Sequence, residues 1–164
     1  MNQMQKYVKE TNNIKYLEDN QHVIDINFDN EDENKKIHIY GTPWTGLYGK
    51  PGKAFQIPRQ DLSEKWGKIP SVTDILISHM PPFGILDKNA AGMKAGCPNL
   101  LKSVTERVKP RIHVFGHIHE SYGHMFHDGV LFINAASLKK SKSNSLNPPI
   151  VVDYCLKTCH LEII

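Results

Sequence analysis

The sequence predicts an α/β fold, and three stretches carry that prediction. Thr73–His79, Thr-Asp-Ile-Leu-Ile-Ser-His, is a short apolar run of strand character ending in a histidine. Pro98–Val108 places Leu100, Leu101, Val104 and Val108 at helical spacing and stops before Pro110. Arg111–Phe115 returns to strand character with Ile112, Val114 and Phe115. Strand, helix and strand in that order form a βαβ unit. Its strands are expected to lie parallel, with both carboxyl ends at one edge of the sheet.

The other elements follow along the chain. Residues 1–20 are polar, and apolar residues first cluster at Ile14–Leu17. His22–Phe28 reads as a strand and Lys36–Tyr40, which alternates, as its return; the acidic, Asn-rich Asp29–Asn34 between them is a solvated hairpin turn. Gly41–Gly52 holds four glycines, two prolines, Trp44, Leu47 and Tyr48, the composition of a loop that either walls a pocket or covers the core. Asp61–Trp66 is a short helix ended by Gly67 and Pro70. Met80-Pro81-Pro82 cannot continue the strand before it, because proline offers no N–H to a ladder. Phe83–Gly96 is a loop containing Asp87 and Lys88, and Cys97 opens the helix that follows. Val130–Ile133 is a strand whose end, Asn134-Ala135-Ala136-Ser137, is suited to line the same sheet edge. Lys139–Asn147 is a polar loop, and Pro149–Tyr154 with Thr158–Ile164 forms a closing hairpin.

The chemistry gathers at Gly116-His117-Ile118-His119. A glycine at the mouth of a strand lets the backbone turn or approach a neighbour closely. In an extended segment residues two apart share a side, so His117 and His119 can serve one site. The βαβ unit brings His79 to the same edge, where ligand sites of open α/β sheets lie. Neutral imidazole is a common ligand for first-row divalent metals, so His79, His117 and His119 are the candidate metal ligands. Gly116 and Asn134 are the candidate substrate contacts.

Composition bounds the alternatives. The chain has 164 residues, 40% hydrophobic and 23% charged, enough for one domain spanning 1–164 with its own core. A net charge of +3, with lysines bunched only at 139, 140 and 142, gives no nucleic-acid face. No apolar run reaches membrane-spanning length and the N-terminus has no signal-peptide core, so a cytoplasmic protein is expected. The three cysteines suit that compartment; Cys155, Cys159 and His160 lack a second ligand pair at fixed spacing and read as reduced residues of a terminal strand.

Ser78-His79-Met80-Pro81-Pro82 and Gly116-His117-Ile118-His119-Glu120 resemble motifs of the calcineurin-like metallophosphoesterases, nearest to the metallophosphoesterase-domain-containing (MPPED) branch. Gly41-Thr42-Pro43-Trp44, Pro70–Asp74, Gly96-Cys97, His113–Gly116, Ile133-Asn134-Ala135 and Asn147–Ile150 extend the resemblance from about Tyr16 to Asp153. It implies part of a two-sheet β-sandwich flanked by helices, with metals at one edge. It also implies that His79 and His117 bind one metal and His119 the other. The activity implied is phosphoester hydrolysis on a small phosphoester or nucleotide, using a divalent ion (Mn, Fe, Zn or Mg). Two such ions about 3.5–4 Å apart activate a hydroxide and stabilise the transition state.

The sequence contains no Asp-x-His, Gly-Asp or Gly-Asn-His, the motifs that supply the family's carboxylate anchors and its leaving-group acid. The chain is therefore expected to be the C-terminal part of such a domain, weak or inactive as a hydrolase, with no catalytic acid identifiable. The alternative is a non-catalytic nucleotide- or metal-binding module. An imidazole-only donor set favours softer ions such as Zn²⁺, Cu²⁺ or Ni²⁺, unless another carboxylate, such as Asp87, anchors the metal. Sheet strands left without partners are expected to promote self-association.

Overall fold

The computed structural model describes residues 14–26, 35–49, 52–139 and 144–164. The acidic turn at 29–34 lies outside them, as does most of the polar N-terminal stretch and part of the lysine-rich loop.

One six-stranded mixed sheet organises the chain. Its strands are β1 (Asn20–Ile26), β2 (Lys35–Thr42), β5 (Ile75–Ser78), β6 (Ile112–Phe115), β7 (Gly123–His127) and β8 (Val130–Asn134), in the order β1-β2-β5-β6-β8-β7. β2, β5, β6 and β8 run parallel, and β1 and β7 close the two edges antiparallel. The expected N-terminal hairpin is β1 with β2. The expected βαβ unit is β5, α2 (Pro98–Lys102) and β6, with Ile75, Leu76 and Ile77 registered against Ile112, His113 and Val114.

Period-two alternation sorts the residues of β6 and β8 between two faces. His113, Phe115, Val130 and Phe132 face the helical side. There Leu62 and Trp66 of α1 (Leu62–Gly67), with Leu100, Val104 and Val108, complete the main core. Ile112, Leu131 and Ile133 face the other way, under Ile150, Val152, Leu161 and Ile163 of the C-terminal hairpin β9 (Val152–Cys155) and β10 (His160–Ile163). The sheet thus has helices on one face and a two-stranded layer on the other. That cover does not reach Ile77 of β5 and Ile24 of β1, which stay 44% and 40% exposed.

Local structure departs from expectation in two places. The helix over Pro98–Val108 is α-helical only to Lys102, and Ser103–Val108 is a π turn ending at Lys109 with φ 50°. Leu100, Val104 and Val108 still fall on one buried line, so the core contact survives the change of winding. Strand β7 was not anticipated. It joins β8 through Asp128 and Gly129, at φ 48° and 78°, the two-residue turn that Asp-Gly favours because both positions need positive φ.

The glycine-rich loop does both things open to it. Trp44 donates its indole N–H to Asp19 and lies under the Lys65 ammonium, covering the core. Further on, Thr45–Gly46 (β3) pairs with Gln56–Ile57 (β4), and Tyr48 reaches the histidine edge. Cys97 caps α2 and takes the Trp66 indole N–H on its sulfur at 3.2 Å; all three cysteines are free. Among the described residues no helix is long and apolar enough to cross a membrane.

Candidate metal and phosphoester site

The carboxyl ends of β5 and β6 remain zipped together one residue past the strands. His79 donates its N–H to Thr42 O, and Gly116 donates to His79 O at 3.3 Å. This registry sets the two following side chains side by side: His117 Nδ1 lies 3.0 Å from His79 Nε2, with ring centroids 4.8 Å apart.

The turn that achieves this is made by His117 and not by the glycine. Gly116 is not among the residues at positive φ, and a Cβ there would make only ordinary contact with Ala136, 3.9 Å away. His117 itself takes φ 68°, a conformation that costs a non-glycine residue of order 1 kcal/mol or more and is concentrated at functional sites. The extended alternation expected for His117 and His119 is broken there. Ile118 is extended and buried, and His119 starts a short 3-10 turn, His119–Ser121. His119 nevertheless lines the same cavity as His117, of about 390 Å³.

Both members of the histidine pair are held neutral. Burial, then the neighbouring imidazoles of His79 and His119, then Lys53 and Arg59, lower the pKa of His117 to about 4. Burial and then His119 lower that of His79. Neutral rings with lone pairs free are the form that ligates a metal. His119 Nδ1 is buried without a hydrogen-bond partner among the described residues, an orphaned donor or acceptor of the kind a bound group relieves. Among the described residues, however, no three His, Cys, Asp or Glu side chains gather into a group able to hold an ion. The residues present would offer a metal two convergent imidazoles, His79 and His117, with His119 on the wall of the adjoining cavity and no third ligand gathered with the pair.

Asp87 does not fill that gap. It is 2% exposed, and its Oδ2 accepts the backbone N–H groups of Gly84 at 2.9 Å and Gly96 at 3.0 Å, stapling the 83–97 loop. Asn134 is likewise employed within the fold. Fully buried, it donates to Leu86 O (3.0 Å) and Ile118 O (2.8 Å) and accepts from Ala136 N (3.1 Å). Its side chain ties three loops together around the site.

Three residues at the site, Ser78, His113 and Arg59, were not among the candidates drawn from the sequence. Ser78 donates its hydroxyl to Met80 O, while its Oγ lies 2.8 Å from His113 Nε2, a buried brace beneath His79. His113 is the inward position of an alternating strand, which was the available signal. Arg59 enters the cavity rim from the chain after β4, and its stem crosses Gly46 so closely that a Cβ there would sit 2.6 Å from Arg59 Cγ.

A helix-backed mixed sheet that brings two histidines together at one edge is an α/β arrangement, and the relatives make its class specific. The chain is 46% identical over 127 residues to human metallophosphoesterase domain-containing protein 1, covering 76% of this chain and 38% of that protein, with the same figures for the mouse protein. A UPF0046 protein of Caenorhabditis elegans is 42% identical over 122 residues, covering 71% of this chain and 42% of that one. The chain belongs to the metallophosphoesterase-domain-containing family, and it spans well under half the length of these curated relatives. No family model matches it. One solved crystal structure shares the fold at a TM-score of 0.59 and 12% identity, covering 98% of this chain and 58% of that one.

Proposed function

We propose that the chain carries the histidine side of a metallophosphoesterase centre, acting on small phosphoesters or nucleotides with one bound divalent ion. The observation that carries this reading is the His79–His117 pair, 3.0 Å apart, where burial lowers the pKa of both rings. Family membership supports a phosphoesterase-like function at the coarse level. His79 and His117 would hold the ion, with His119 as the third imidazole. When bound, the ion supplies a polarised phosphoryl oxygen and a water acidified toward neutrality. The chain's own residues do the positioning: the Ser78–His113 brace fixes the end of β5, Asn134 fixes the loops, and the turn at His117 aims its ring.

The C-terminal hairpin covers the sheet face opposite the helices, a second layer that is consistent with part of a sandwich. An all-imidazole set suits Zn²⁺ or Ni²⁺ better than Mg²⁺, and a second ion close by would be repelled without a bridging carboxylate. Turnover by the 164-residue chain is therefore expected to be slight, since losing a general acid alone typically costs about 10²–10⁴-fold. A purely binding role is favoured by one observation: the buried acid nearest in sequence, Asp87, is committed to the loop backbone. Hydrolysis of a chromogenic phosphodiester with Zn²⁺ or Mn²⁺ tests the reading. Slight turnover abolished by His117→Ala supports it. Robust turnover unaffected by His117→Ala contradicts it. The edge strands β1 and β7 are proposed to support weak self-association, which sedimentation would detect as concentration-dependent mass; a fixed monomer mass contradicts that.

A further inference from the structure

The parallel strands β2, β5 and β6 also meet a cavity at their amino ends, opposite the histidine edge, where the turn of the β9–β10 hairpin closes a space of about 360 Å³. Lys35 opens β2, Asp74 precedes β5 and Arg111 precedes β6, and all three line it. The backbone fixes their places. Asp74 O accepts the N–H groups of Arg111 at 2.8 Å and Ile112 at 3.2 Å, while Asp74 Oδ2 accepts that of His38 at 2.8 Å. Lys35 donates from Nζ to Leu156 O, which pins the ammonium to the hairpin turn and leaves it further protons to donate. Lys36, on the same wall, is paired with Asp25 at 3.2 Å. The Arg111 guanidinium forms no ion pair among the described residues, with Asp74 or any other acid. Both charges nevertheless reach one group, Tyr154 of β9. Burial and then Cys159 raise the Tyr154 pKa, the Arg111 cation pulls it down and the Asp74 carboxylate pushes it up. The phenol keeps its proton at neutral pH and stands there as a hydrogen-bond donor.

A base and an acid that share a cavity without meeting are complementary to a ligand that carries both opposite charges. We propose that this cavity binds an acidic amino acid, with Arg111 and Lys35 taking its two carboxylates and Asp74 its ammonium. The unpaired guanidinium offers a fork of donors that matches carboxylate oxygens, and the Tyr154 hydroxyl adds one more donor. Charge selects the ligand. Arg111 and Lys35 set against Asp74 leave one positive charge, the complement of a ligand with two carboxylates and one ammonium. A plain dicarboxylate would leave Asp74 facing an anion, and a neutral amino acid would leave one cation unmatched. About 360 Å³ lies at the small end of the range for ligand sites, and Ile37 and Leu156 supply apolar wall for a short methylene chain.

Calorimetric titration of the full chain with glutamate, glutarate and glutamine tests this. Glutamate is expected to bind most tightly, since glutarate lacks the ammonium and glutamine the second carboxylate. Arg111→Met should weaken glutamate roughly ten- to a hundredfold, as expected for loss of charged hydrogen bonds. Arg111 is exposed, so this variant is expected to keep the wild-type melting temperature. Asp74→Asn keeps an oxygen to accept the His38 N–H; it should weaken glutamate and leave glutarate no weaker. His117→Ala, at the other end of the strands, should bind glutamate as the wild type does. No glutamate binding by the wild-type chain, equal binding of glutarate and glutamate, or equal glutamate binding by Arg111→Met overturns the inference. Loss of glutamate binding in His117→Ala overturns it too, since the ligand would then sit at the histidine edge. The site stands apart from the phosphoester reading, so its failure leaves the His79–His117 pair untouched.

Discussion

Replacing His113 with glutamine isolates one buried titration that the fold sets against protonation. The Ser78 hydroxyl has a single proton, committed to Met80 O at 2.8 Å. The 2.8 Å contact with His113 Nε2 therefore requires the ring to donate from Nε2, leaving Nδ1 unprotonated. Nδ1 is buried without a partner among the described residues, and the ring lies between Phe115 and Phe132 at 5.1 and 5.6 Å. Charging the ring would place a cation there with no acceptor, and burial lowers the pKa from 6.5 to about 3. The unfolded chain binds this proton near its ordinary pKa while the folded chain refuses it. The resulting stability is fully present above about pH 6.5 and is lost as pH falls toward about 3. Between about pH 7 and about pH 4.5 the loss comes to roughly 2.5 kcal/mol, at about 1.4 kcal/mol per unit. Glutamine keeps an amide N–H for Ser78 and cannot titrate. Urea unfolding of both proteins at the two pH values is the assay. His117 and His79, also lowered, destabilise both proteins in the same direction, so the difference between the two slopes reports His113. The expected outcome is a variant somewhat less stable near pH 7 whose loss on acidification is smaller by roughly 2.5 kcal/mol. Identical acid slopes would refute the buried, unprotonated Nδ1.

Two further substitutions probe how the loops are held. Asn134→Ala strands Leu86 O, Ile118 O and Ala136 N, and should lower unfolding free energy by roughly 3 kcal/mol in urea melts; a loss under about 0.5 kcal/mol would mean the three hydrogen bonds tie nothing together. Gly96→Ala drives a Cβ to 2.4 Å from Pro82 O and 2.8 Å from Phe83 Cα, backbone atoms that cannot swing aside. It should cost about 1–3 kcal/mol and lower the melting temperature, whereas Gly67→Ala, with open space around it, should not.

Much of the scaffold is legible because it is written in apolar runs. Ile75–Ile77, the Leu100–Val104–Val108 line and Ile112–Phe115 each have one period and one face, so β5, its crossover and β6 follow from spacing, and with them the meeting of His79 and His117. Strand β7 escapes that logic because Gly-His-Met-Phe-His has no β-branched residue; the Asp128-Gly129 turn was its only clear sign. The site is legible in its residues and less so in its geometry. The sequence motif names His117 and His119, but the left-handed turn at His117 is imposed by the tertiary register of β5 against β6 and leaves no local mark. Asn134 and Asp87 are polar residues at the right edge whose hydrogen bonds turn inward to the backbone, a choice fixed only once the loops are folded. The covering of Gly46 by Arg59 is likewise a meeting of distant segments.

Titration of the chain with Zn²⁺, followed by calorimetry, tests the central claim that His79 and His117 form a metal-binding pair. The account predicts saturation at about one ion per chain. Uptake should require little proton release at about pH 7, because both rings are already neutral. His117→Ala should weaken binding by at least tenfold, with a smaller loss for His119→Ala. Binding of equal strength in wild type and His117→Ala, or no binding by the wild-type chain, would contradict it.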